Sequence, residues 1–201
     1  MITRRTALAT LAATTLPGSI TFAQEETLTV PDMRLGNELA KVTVTEYASF
    51  TCPHCASFHA NTYPQLKANY IDTDKINFVY REVYFDRFGL WGAMIARCDP
   101  SKFFGIADML YKRQAEWSRA GEPAEIVGEM RKIGKIAGLS DEQLDECLND
   151  QKMAEAMVAR FQETSTADEV NSTPTLFVNG TKYGNLPYDE LAKIIDAELG
   201  S

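Results

Sequence analysis

Residues 41–55 read KVTVTEYASFTCPHC, and the change of character inside that stretch decides the fold. From Lys41 to Phe50, β-branched residues alternate with polar ones and then give way to apolar and aromatic ones. That is the pattern of a strand buried on both faces towards its end. Cys52-Pro53-His54-Cys55 follows at once. Pro53 suits the first turn of a helix, where a missing N–H costs nothing, so residues 56–69 are expected to be helical. Residues 76–85, INFVYREVYF, make a second strong strand. Strand, helix and strand at this spacing form a βαβ unit.

Downstream the pattern turns helical over residues 88–166. Phe103, Ile106, Ala107 and Leu110 recur at helical spacing, as do Ile126, Met130, Ile133 and Ile136, and again Met153, Met157, Val158 and Phe161. Gly138 can end one helix, and Ser140 with Gln143 can cap the next. Residues 175–178 and 181–183 flank Asn179-Gly180, the signature of a hairpin with a tight primed turn. Residues 187–199 read as a closing helix. Upstream, residues 24–37 form a polar lead-in with extended residues near Leu28 and Val30. The expected class is α/β: a sheet built from residues 24–86 and 166–201 and interrupted by an all-helical insertion over residues 87–165.

The first 23 residues stand apart. Arg4 and Arg5 precede a short uncharged run, Pro17 and Gly18 break it, and Thr21-Phe22-Ala23 offers a small-x-small cleavage site. This reads as an export signal cleaved after Ala23, which places the mature chain in the periplasm. Its 178 residues carry 28 acidic and 18 basic side chains, a formal charge of −10. That excess argues against nucleic acid as an electrostatic partner. Cys52, Cys55, Cys98 and Cys147 all lie in the mature chain, and an even count in an oxidising compartment is expected to pair.

Cys52 and Cys55 open a helix, whose N-terminus presents unpaired N–H groups and a partial positive charge. A thiolate there is stabilised and its pKa falls. Cys52 is therefore the expected nucleophile, with Cys55, one turn further in, as the resolving thiol. An imidazolium at His54 would add a second charge in favour of the Cys52 thiolate. A passive Cys52–Cys55 staple and a zinc knuckle with His59 are the competing readings; the knuckle lacks an evident fourth ligand, and no metal is expected. Glu46 shares a strand face with Val42 and Val44, which favours burial. A carboxylate there could accept or relay the proton of Cys55, with Arg81 as a candidate partner. Cys98 and Cys147 have no neighbour at redox spacing. They read as a structural disulfide closing a loop of about 50 residues and stabilising by about 4 kcal/mol on the chain-entropy account; two free thiols are the alternative. Tyr80, Tyr84, Phe85, Trp91, Met94 and Met109 read as core and interface packing.

A strand ending in Cys-Pro-His-Cys, a helical insertion, and then Ser172-Thr173-Pro174-Thr175 before a hairpin resembles the DsbA-type proteins of the thioredoxin superfamily, over roughly residues 37–201. The resemblance implies a thioredoxin fold carrying a helical insertion, a cis peptide bond before Pro174, and a Thr173 backbone able to pair with an extended client. It also implies a buried acid beneath the second cysteine, at the position of Glu46. The activity implied is oxidation of reduced exported proteins through Cys52 and Cys55, without a cofactor, with a membrane quinone-linked partner of the DsbB type restoring the disulfide. Thr173 resembles the disulfide isomerases instead, so an isomerase or reductase stays open, as does a non-catalytic client- or metal-binding module. Those isomerases dimerise through an added N-terminal module, which residues 24–40 are too few to supply, so a monomer is expected.

Overall fold

The computed structural model describes residues 28–200; the expected export signal over residues 1–23 lies outside them. The first strand, β1 (Met33–Gly36), departs from the sequence reading, which put extended residues near Leu28 and Val30. Four residues that include a charge and a glycine carry almost no strand signal of their own. Pairing supplies what propensity does not: Met33 to Gly36 lie antiparallel to Tyr80 back to Asn77. Gly36 ends the strand at φ +79°, and a Cβ there would stand 2.4 Å from the Ile76 carbonyl oxygen, so no other residue fits without backbone movement.

The decisive stretch forms β2 (Val42–Ala48) and then α1 (Pro53–Asn61), with Cys52 as the N-cap residue of the helix. The helix expected to run to residue 69 breaks at Thr62 and resumes as α2 (Tyr63–Leu66) and a π-helical turn (Lys67–Ile71). Pro64 explains the break, since it has no N–H for the carbonyl four residues back. The chain returns as β3 (Ile76–Glu82), parallel to β2.

Six α-helices and one short 3₁₀ helix (Pro100–Lys102) then separate β3 from the next strand: α3 (Arg87–Arg97), α4 (Phe103–Lys112), α5 (Gln114–Trp117), α6 (Pro123–Ile136), α7 (Asp141–Asn149) and α8 (Gln151–Ala167). Local chemistry sets their ends. The Asp86 carboxylate accepts the N–H groups of Phe88 and Gly89, and Ser140 and Gln143 form the expected capping box. The hairpin follows as β4 (Thr175–Val178) and β5 (Thr181–Tyr183). Asn179 and Gly180 both have positive φ, as a type I′ turn requires. Helix α9 (Tyr188–Gly200) closes the chain.

The strand order is β1-β3-β2-β4-β5, with β2 and β3 parallel and the other pairs antiparallel. This is a thioredoxin-type sheet with the helical insertion between its halves. The register pairs Glu46 with Tyr80 and Tyr47 with Arg81, so the two pairs lie on opposite faces. On the Tyr47 face Arg81 binds Asp32 through both carboxylate oxygens and also reaches Asp168, while Arg160 of α8 meets the same Asp32 at 3.0 Å. Arg81 is thus excluded from the role of Glu46's partner by strand alternation. The Glu46 face looks into a core shared by sheet and insertion, where Phe50, Phe58, Phe78, Tyr80, Phe103 and Tyr111 are all buried. Tyr80 and Met94 belong to it, and Tyr84, Trp91 and Met109 pack on its border. Phe85 does not: it lies three residues past the end of β3 and is 59% exposed.

Candidate active site

Strand β2 points its C-terminal end at the start of α1, and a four-residue turn (residues 49–52) joins them. Backbone bonds shape the turn: the Cys52 N–H donates to the Ser49 carbonyl at 3.1 Å, and the Cys52 carbonyl accepts from Ala56. Gln114, which the sequence reading passed over, adds a second constraint. Its buried side-chain amide donates to the Phe50 carbonyl at 2.7 Å and to the Cys52 carbonyl at 2.9 Å. One residue of the insertion therefore holds both ends of the segment that presents Cys52.

Cys52 and Cys55 are both in the thiol state, 8% and 0% exposed. The Cys52 thiol is lowered to about 5: the Cys55 thiol donates to its sulfur, against the cost of burial, with help from Thr173 and the backbone N–H groups of Cys55 and His54. His54 contributes here through its N–H, and its side chain points to solvent. Pro53 occupies the first helical turn. Cys55 moves the opposite way: burial, then the bond to Cys52, then the charges of Glu46 and Cys52 push its thiol far up. The two sulfurs thus differ sharply, one primed as a thiolate and one kept protonated.

Thr173 and Pro174 come from the other half of the chain and complete the site. The peptide bond between them is cis, and the Thr173 carbonyl lies 3.5 Å from the Cys52 sulfur. Beneath the pair lies Glu46, 0% exposed, with His59 Nε2 at 3.1 and 3.0 Å from its two oxygens. His59 is therefore the neighbour of an acid rather than of the cysteine sulfurs. It lies four residues after Cys55, on the same helix face, and that spacing is the signal that could have linked them. Among the described residues no group of three or more His, Cys, Asp or Glu is placed to hold a metal ion. Cys98 and Cys147 lie away from the site and are joined to each other, Cα atoms 5.6 Å apart.

The family model described as Thioredoxin matches residues 28–197. A protein of Rickettsia felis, provisionally named a protein-disulfide oxidoreductase, is 35% identical over 91% of the chain; one of Rickettsia bellii with the same name is 36% identical over 90%. The chain spans 64% and 68% of the length of these two relatives. Among solved structures, Wolbachia pipientis alpha-DsbA1 superposes with a TM-score of 0.77 at 26% identity, over 86% of this chain and 94% of that one.

Proposed function

The chain belongs to the DsbA-type branch of the thioredoxin superfamily, and from that premise we propose that it is a protein dithiol–disulfide oxidoreductase that introduces disulfide bonds into exported proteins in the periplasm. The observation that carries the reading is the placement of Cys52 as the N-cap residue of α1, one turn before Cys55 and facing the cis Thr173-Pro174 loop; the Cys55 thiol and the helix-end N–H groups lower its thiol to about 5. A stabilised thiolate favours the dithiol form, so the corresponding disulfide is a strong oxidant.

In the oxidised enzyme a client thiolate attacks the Cys52 sulfur. The Cys52–Cys55 bond breaks, and Cys55 leaves as a thiolate that takes up a proton, with Glu46 beneath it as the nearby acid. The client, now bonded to Cys52, lies along the Thr173-Pro174 loop, whose backbone offers an extended segment a strand-like partner. A second client thiolate attacks the client sulfur, Cys52 departs as the stabilised thiolate, and the client leaves with its disulfide formed. Pro53 and the His54 N–H hold the turn in the conformation that stabilises Cys52. A membrane quinone-linked partner of the DsbB type reoxidises the dithiol, no cofactor takes part, and Cys98–Cys147 braces the insertion.

The equilibrium reduction potential in glutathione buffers tests this reading. A value near about −120 mV supports a disulfide donor, and one near about −230 mV or below identifies a reductase instead. Isomerisation is the second reading, favoured by the polar Thr173 beside the cis proline. Recovery of activity from a scrambled multi-disulfide client separates it from simple oxidation.

A further inference from the structure

Glu46 is the one acid that the site encloses completely, and both of its oxygens face a single basic group, His59 Nε2. His59 is buried too; its ring stacks on Tyr111 at 4.1 Å between centroids and lies 4.5 Å from Tyr63. We infer that His59 is a positioning residue for the proton step at Cys55: it keeps the buried Glu46 carboxylate ionised, so that Glu46 can take the Cys55 proton. The inference rests on the oxidoreductase reading above and adds the residue on which the buried acid depends.

The physical reason is desolvation. A carboxylate out of contact with water and without a partner stays protonated, and a protonated acid accepts nothing. A neutral imidazole donating its Nε2–H to the carboxylate removes that penalty. When the carboxylate then gains a proton, the two groups share it as carboxylic acid and imidazole or as carboxylate and imidazolium, and neither form leaves an unpaired charge in the core. The step balances. Cys55 gives its proton to Glu46 and its sulfur attacks Cys52 of a mixed disulfide. The Cys52–Cys55 bond forms, the bond from Cys52 to the bound thiol breaks, and that thiol leaves as a thiolate. In the oxidising direction the same proton returns to Cys55 as it departs from Cys52.

The other groups around the pair do not compete for this role. Tyr80 of β3 and Tyr111 of α4 bond to each other at 2.6 Å, and burial holds both phenols well above their ordinary range, as it does Tyr63 of α2. Glu82, Asp108 and Asp72 act on these phenols as additional negative charges. The protons available for exchange belong to Glu46, His59 and the two cysteines.

The test is oxidation of the reduced protein by glutathione disulfide at saturating concentration, where Cys55 attack on the mixed disulfide sets the rate, across a pH series. His59→Phe keeps a stacking ring and removes the nitrogens. It should slow this step at least about tenfold at neutral pH, with the rate recovering as pH rises, while ultraviolet titration of the Cys52 thiolate stays parental. His59→Gln, which retains a donor, should fall between the two. Glu46→Gln should be slow without recovery at high pH, and this variant decides the matter should His59→Phe fail to fold. Parental saturating rates and pH profiles in the folded His59 variants, or in Glu46→Gln, overturn the inference and leave the oxidoreductase reading standing. If the parental protein itself fails to react with glutathione disulfide at Cys52, both are overturned.

Discussion

The Cys52 sulfur, lowered to about 5, sits one helical turn from a Cys55 sulfur pushed the other way, and that asymmetry has a measurable electrochemical form. Above pH 5 reduction of the disulfide takes up one proton per two electrons, so the potential should fall by about 30 mV per pH unit; below pH 5 two protons enter and the slope should double to about 60 mV. A single slope of the steeper value throughout would mean that Cys52 is not specially ionised. The same depressed value bears on stability. A group whose pKa is lower in the folded state adds stability above its unfolded pKa and loses it as pH falls through the folded one, so the dithiol form should gain steadily between about pH 5 and 9. At pH 7 the gain is on the order of 2 kcal/mol, and thermal melts of the reduced and oxidised proteins should show the reduced form melting higher. Cys52 and Cys55 were legible in the sequence because motif, proline and helix start are all local. His59 was not, because its partner Glu46 lies 13 residues upstream and belongs to a different element.

Short elements show how tertiary context completes what local sequence leaves open. The Asn179-Gly180 hairpin and the Ser140 capping box were readable because turn and cap chemistry is written in adjacent residues. Strand β1 was not, because its order comes from Asn77–Tyr80 across the sheet. Gly36→Ala should show that dependence. The added methyl meets the Ile76 carbonyl in a backbone conformation that disfavours it, and a loss of about 1–3 kcal/mol is expected in denaturant unfolding. Helix α5 is only four residues long, yet it carries Gln114, whose targets lie 62 and 64 residues away. No periodicity could have marked that glutamine. Gln114→Leu strands the buried Phe50 carbonyl and leaves the Cys52 carbonyl only its bond from Ala56, so it should cost about 1–3 kcal/mol. It should also broaden the Cys52 titration by loosening the turn; a leucine variant of parental stability and titration would show that the clamp is redundant.

Across the whole molecule, one core runs from the sheet into the insertion, and the Cys98–Cys147 bond ties α3 to α7 at its far side. Replacing both cysteines with serine should lower stability by about 4 kcal/mol on the chain-entropy account, seen as an earlier denaturant midpoint. The Cys52–Cys55 potential of that variant reports whether stiffness of the insertion reaches the site; an unchanged potential confines the bond to a structural role. The contact between Cys52 and Thr173 spans 121 residues, and the entire insertion lies within that interval. A chain made from its N-terminus presents both cysteines long before it has made Thr173. A fragment ending inside the insertion carries the complete Cys-Pro-His-Cys sequence but not the loop that faces it. The two halves of the site therefore meet only in a chain that has been made through Pro174.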